Sequence, residues 1–205
     1  QAAKNGRRDP NYEWGCNPCS EILLRGPKID KNGQPVTGTG GQFCNLSEVI
    51  IRATDTKKDL LRKVRLATIL GTIQSTYTKF PYLRKIWSKN TAEERLLGVS
   101  LTGIMDNELT NGKKGDLPAL LEELKQCAVA TNKEWADRLG IEVSTAISCV
   151  KPSGTVSQLT DSSSGIHARH SSYYIRTVRG DNKDPLTEFM ISQGIPNEPE
   201  VNKPT

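Results

Sequence analysis

Apolar side chains recur at helical spacing in two stretches of the chain. Leu60, Leu61, Val64, Ala67, Leu70 and Ile73 predict a helix over 57–79 that ends before Pro81. Leu117, Leu121, Leu124, Ala128, Thr131, Trp135 and Leu139 follow at steps of three or four, with Pro118 in the first turn and Gly140 as the stop. Shorter apolar runs predict strands. The β-branched Val49-Ile50-Ile51 centres one over Cys44 to Ala53, and Ser144 to Val150 and Tyr173 to Arg179 read as two more. Leu96 to Ile104, broken by Gly98 and Gly103, fits a strand or a buried turn equally. Asp184-Pro185 through Gly194 carries a cap, a first-turn proline and a terminal glycine, and predicts a last helix. Helices and strands that alternate in this way predict an α/β fold.

Punctuation separates these elements. Residues 26–42 are dense in Gly, Pro, Asn, Lys and Thr and predict an exposed loop, while Pro196 to Thr205 reads as a solvated end. At 205 residues, with 35% hydrophobic and 25% charged positions, the chain suits one domain or part of one. The net charge of +5 is spread along the chain, which favours small anions and gives no support for nucleic-acid binding. No run approaches the roughly 20 apolar residues of a bilayer span, and Gln1 to Asp9 is polar and basic, so a cytoplasmic protein without membrane contact is expected. The chain does not begin with Met and reads as a piece whose beginning lies upstream.

Five cysteines at irregular spacing do not form a secreted disulfide framework, and reduced or redox-active thiols are expected. Cys16 and Cys19 form a Cys-x-x-Cys pair, yet the chain holds no second such pair to complete a structural zinc site. His167 and His170 lie far downstream, so no metal site is expected. A thioredoxin-like helix has no room before Gly26-Pro27. The better reading makes Asn17, Cys19 and Glu21 alternate residues of one extended segment, presenting an amide, a thiol and a carboxylate to one small polar ligand. Pro152-Ser153-Gly154-Thr155-Val156-Ser157 offers hydroxyl and backbone donors to an anion, without the Gly-Lys-Ser/Thr ending of a Walker loop. Cys127 sits at helical spacing and reads as core.

These motifs carry a family resemblance. Asn17-Pro18-Cys19-Ser20-Glu21-Ile22, Cys44-Asn45-Leu46-Ser47-Glu48-Val49, Leu97 through Asp106, Lys151 through Ser157, Gly165 through Ser171 and Tyr173-Tyr174-Ile175-Arg176 resemble, in order, the catalytic subunit of ribonucleotide reductases. The later motifs are most like the monomeric, adenosylcobalamin-dependent ribonucleoside-triphosphate reductases. The resemblance implies part of a ten-stranded α/β barrel with a central finger loop. On it, 1–205 is a partial catalytic barrel domain, with the finger loop at 14–25, the exposed loop at 26–42 and the phosphate loop at 151–157.

The resemblance also implies roles. Cys19 becomes a thiyl radical and removes the 3′ hydrogen of the ribose, Glu21 is the base on the 3′ hydroxyl, and Asn17 aligns the substrate. Cys44 is one of two cysteines that reduce the 2′ carbon. Pro152, Ser153, Gly154, Thr155, Val156 and Ser157 bind the substrate phosphates. Cys16 and Cys149 match no redox position of the family. The implied cofactor is adenosylcobalamin, bound largely outside this chain. The implied partners are a ribonucleotide, thioredoxin or a similar dithiol reductant, and the missing N-terminal half of the barrel, so the piece alone is expected to be inactive. Three other readings stay open: a reductase large subunit that needs a radical-generating partner, a nucleotide-binding module without catalysis, and a dithiol redox protein.

Overall fold

The computed structural model describes residues 8–202; the first seven residues of the basic N-terminus and the last three of the solvated tail lie outside them. The chain divides into two compact units, residues 1–169 and 170–205.

The first unit opens with a β-hairpin. Strand β1 (Tyr12–Cys16) pairs antiparallel with β2 (Leu23–Ile29), and the short β3 (Pro35–Val36) adds to the far side of β2. The loop that reads as an exposed excursion is thus partly strand, returning at Gly33 with φ +77°.

The second sheet is parallel. Strand β4 (Asn45–Ile50) pairs with β5 (Leu97–Thr102) from Asn45 opposite Leu97 to Ile50 opposite Thr102. Between them run helices α1 (Lys57–Gln74) and α2 (Lys85–Glu94); after β5 come a 3-10 turn (Ile104–Asp106) and the long helix α3 (Leu117–Leu139). A third parallel line follows α3, where the Leu97 amide donates to the Ala146 carbonyl (3.0 Å), Val99 to Ile147 (2.8 Å) and Cys149 back to Val99 (3.1 Å). The strand expected over Ser144 to Val150 is reduced to this contact and one bridge, Val99 to Ser148. Helices crossing between parallel strands make the unit α/β.

Alternation along β4 and β5 divides the sheet into two faces. Val49 and Ile51 beyond β4, with Leu97 and Val99 of β5, meet Leu60 and Val64 of α1 and Leu120, Leu124 and Ala128 of α3 in one core. The other face carries Leu46 and Glu48 opposite Gly98 and Ser100.

Both long helices have strong ends. The Thr56 hydroxyl accepts from the Asp59 amide while the Asp59 carboxylate accepts from the Thr56 amide, a reciprocal cap on α1. Asp116 caps α3, Pro118 sits in its first turn, and Gly140 closes it at φ +64°, as its sequence predicts. Helix α1 ends at Gln74, five residues short of the expected end, where Ser75 takes over the last carbonyls. Leu96 to Ile104 resolves as β5, with Gly103 at φ +77° starting the turn.

Helix α2 has no apolar period to betray it, because the face it buries is polar: Asn90, Thr91 and Glu94. Glu94 is fully buried and receives Arg8 at 3.0 Å, Arg25 at 3.1 Å and the Gln42 amide at 2.6 Å. Arg25 also reaches Glu93 (2.5 Å) and Asn90 (3.3 Å). This network fastens strand β2 to α2 and sets the hairpin in place.

In the second unit, α5 (Pro185–Ser192) is capped by Asp184, and Gly194 stands at φ +79°, as expected. The strand read over Tyr173 to Arg179 is absent: those residues are exposed and carry no ladder. An alternating segment is a strand only where a neighbour takes its backbone groups.

Candidate active site

The motif Asn17 to Ile22 forms the end of the hairpin and not an extended segment. The Ser20 amide donates to the Asn17 carbonyl (2.8 Å), which makes Asn17-Pro18-Cys19-Ser20 a turn. Pro18 takes the second position, whose φ it is built for, and Ser20 sits at φ 62°. The Asn17 side chain helps close the loop: its Oδ1 accepts from the Ile22 amide at 3.1 Å, and the Asn17 amide donates to the Ile22 carbonyl at 3.2 Å. Asn17 keeps both Nδ2 protons and one lone pair of Oδ1 for a ligand. Cys19 stands exposed at the apex with a free thiol.

Behind the apex the chain turns inward. Ile22 is buried and its Cδ1 packs over Gly98, where an added Cβ would lie 3.1 Å from it, 3.0 Å from Cys149 Sγ and in hard contact with Leu46 Cδ2. Gly98 is required at this crossing because three elements meet on it: the hairpin end, β4 and the line after α3. Glu21 is half-buried here, and its Oε2 has no hydrogen-bond partner among the described residues.

Cys44 precedes β4 and is half-buried. Burial chiefly raises its thiol above the usual range, and the Glu21 carboxylate adds to the rise. Cys149 is pushed up to about 11, first by burial and then by Glu21 and Cys44, with Lys151 opposing. Glu21, Cys44 and Cys149 thus share one low-dielectric surroundings. Beside Cys44 a cavity of about 450 Å³ opens among Phe43, Tyr77, Phe80 and Leu83.

The segment 151–157 is tied to the same sheet face. The Lys151 amide donates to Ser100 Oγ (3.2 Å), and Ser153 Oγ donates to Glu48 Oε2 (2.8 Å). Downstream, the Gly165 amide donates to Thr102 Oγ1 (2.9 Å), and Ser164 Oγ donates to the Ser153 carbonyl (2.9 Å). A short helix, α4 (Gly154–Leu159), starts immediately after Ser153. Ser153 is buried and Ser157 Oγ donates to the Gly154 carbonyl at 3.0 Å, so both hydroxyls are committed within the protein. Gly154 and Thr155 are exposed, and the first amides of α4 are the donors left for an anion.

Six further positions complete this face, none of which the motifs had given a role: Glu48, Ser100, Thr102, Cys149, Lys151 and Ser164. For Glu48, Ser100 and Thr102 the signal was a polar residue inside an otherwise apolar strand. Of the expected site residues, Glu21 and Cys44 are brought together, and Ser153 joins them through Glu48.

No family model matches the chain. Curated relatives do. A reductase of Lacticaseibacillus paracasei, named adenosylcobalamin-dependent ribonucleoside-triphosphate reductase, is 30% identical over 97% of this chain and 27% of its own length. Its namesakes from Lactobacillus gasseri (30% over 93% of the chain) and Lactobacillus delbrueckii subsp. bulgaricus (28% over 91%) agree. The chain resembles the catalytic subunit of adenosylcobalamin-dependent ribonucleotide reductases. It spans about a quarter of the length of the relatives it matches. Among solved structures, a B-12 dependent (class II) ribonucleotide reductase superposes on 77% of this chain and 23% of its own, with a TM-score of 0.59 and 24% identity, which supports the α/β fold.

Proposed function

We propose that the chain is part of the catalytic α/β barrel of a ribonucleoside-triphosphate reductase and carries its thiol chemistry. The observation that carries this reading is the single site face, on which Glu21, Cys44 and the tethered 151–157 segment converge beneath the hairpin that ends in Cys19. Relatives named for that reaction over nearly the whole chain support it.

The residues divide the work as follows. A ribonucleoside triphosphate sets its phosphates on the amides that open α4. The Nδ2 protons of Asn17 hold the sugar, and Glu21 takes the proton of the 3′ hydroxyl. Cys19, as a thiyl radical, removes the 3′ hydrogen and becomes a thiol. Cys44 and a second cysteine of the reductase supply two electrons and two protons; the 2′ hydroxyl leaves as water, and the two sulfurs end as a disulfide. Cys19 then returns its hydrogen to C3′, and Glu21 returns its proton to the 3′ oxygen. The raised Cys44 thiol suits this role, because it keeps its proton until the hydroxyl departs. Thioredoxin or a similar dithiol restores the pair.

Adenosylcobalamin supplies an organic radical when bound. On this reading the corrin is held largely outside this chain, and Cys19 stands exposed at the hairpin apex. The free outer edge of β4 and the exposed Leu66 and Leu70 beside it support further barrel strands there.

The test is made in the intact polypeptide that contains this chain, with adenosylcobalamin and a dithiol reductant. Cys19→Ser is expected to abolish deoxynucleotide formation, since an alkoxyl radical is far harder to generate than a thiyl one. Cys44→Ser is expected to permit loss of labelled hydrogen from C3′ while blocking turnover. Deoxynucleotide made at a normal rate by Cys19→Ser would end this reading.

A further inference from the structure

Glu48 occupies an unusual place for an acid. It lies within parallel strand β4, on the face with Leu46, directly opposite Ser100. One carboxylate oxygen is explained: Oε2 accepts from Ser153 Oγ at 2.8 Å. The other, Oε1, is buried and has no hydrogen-bond partner among the described residues. Buried acceptors in folded proteins are almost always satisfied, so an orphaned carboxylate oxygen asks for a donor that is not part of the resting chain.

Its neighbours narrow the kind of donor. Glu21 also holds one buried oxygen with no partner among the described residues, and, after burial, both carboxylates raise the Cys149 thiol while Lys151 opposes them. Gly98, bare of a side chain, lies on this face between Leu46 and Cys149. A phosphate brings acceptors, which cannot satisfy an acceptor oxygen left without a donor. A sugar hydroxyl brings a donor without charge. Glu48 thus stands opposite Ser100 on the sheet face and is bonded to Ser153 at the edge of the 151–157 segment, so a sugar held against this face would meet its open oxygen.

We propose that Glu48 is a second carboxylate of the nucleotide site, which holds the phosphate loop through Ser153 with one oxygen and accepts a hydrogen bond from a ribose hydroxyl with the other. The inference rests on the nucleotide reading above and deepens it. Ordering of the loop and recognition of the sugar then pass through one side chain.

The experiment is a calorimetric titration of the intact polypeptide with cytidine triphosphate, its 2′,3′-dideoxy analogue and inorganic tripolyphosphate, for wild type, Glu48→Gln, Glu48→Ala and Ser153→Ala. Wild type is expected to prefer the ribonucleotide over the dideoxy analogue, and Glu48→Ala to shrink that preference by about tenfold, the scale of one charged hydrogen bond. Glu48→Gln, close in shape, is expected to lose part of it and to keep the wild-type melting profile. Ser153→Ala is expected to weaken tripolyphosphate while keeping the sugar preference. If Glu48→Ala and Glu48→Gln weaken all three ligands alike, or none, Glu48 only braces the loop and the proposal is overturned. A wild type that binds the ribonucleotide and its dideoxy analogue equally overturns it too, with the nucleotide reading intact. A wild type that binds neither nucleotide removes both.

Discussion

Single residues at this site are governed by what surrounds them. Cys149, unassigned by its motif, is pushed up to about 11 by burial, Glu21 and Cys44, whereas the unfolded thiol titrates at 9.0. The folded state therefore holds this proton more tightly, and the stability this provides is complete below pH 9.0 and lost as pH rises to about 11. Cys149→Ala is expected to flatten that alkaline loss, read as urea midpoints across the window; an unchanged slope would show that the thiol is not held in this environment. Asn17 makes the same point differently. Its residue type was legible as an amide donor, yet its side-chain oxygen also closes the loop by accepting from the Ile22 amide.

Elements here are fastened by polar contacts as much as by apolar ones. Helix α2 and strand β2 are joined by Glu94, shared between Arg8, Arg25 and Gln42. Removing one member of a buried ion network leaves the others charged and unpaired. Glu94→Ala is expected to cost about 3–5 kcal/mol in urea unfolding, with Glu94→Gln recovering part because it keeps an acceptor for the guanidinium groups. A loss below about 1 kcal/mol, typical of an exposed pair, would show the network to be solvated. Helices α1 and α3 were legible because each buries an apolar stripe against the sheet, and α3 also carries its own stop in Gly140. Helix α2 was not, since its buried face reads as polar sequence.

At the scale of the molecule, the first unit holds a parallel sheet that packs α1 and α3 on one face and carries Glu48, Gly98 and Ser100 on the other, and several large apolar side chains of α1 are exposed. Leu66 and Leu70 of α1 are each 55% exposed and Ile73 is 40% exposed, beside a β4 edge that pairs with no further strand among the described residues. Such an edge with an apolar flank is a template for association. The 205-residue chain alone is expected to run above its monomer mass in light-scattering chromatography and to bind a hydrophobic dye, and Leu66→Lys with Leu70→Lys to restore the monomer. A monodisperse, dye-silent wild-type chain would contradict this. No described helix is long and apolar enough to cross a membrane.

The sequence by itself determined the α/β class, both long helices, the first-turn Pro118 and closing Gly140 of α3, β4, and the motifs that carry Cys19, Glu21 and Cys44, because those depend on local spacing and on residue type. Tertiary structure alone decided the rest. It turned Asn17 to Glu21 into a hairpin end, since Pro18 and the Asn17 side chain close a turn that alternation does not foresee. It left Tyr173 to Arg179 without a ladder, since a strand exists only through its neighbour. And it set Glu48 against Ser153, residues 105 positions apart, because parallel strands joined by helical crossovers bring distant segments to one face, where burial makes every unpaired polar atom count.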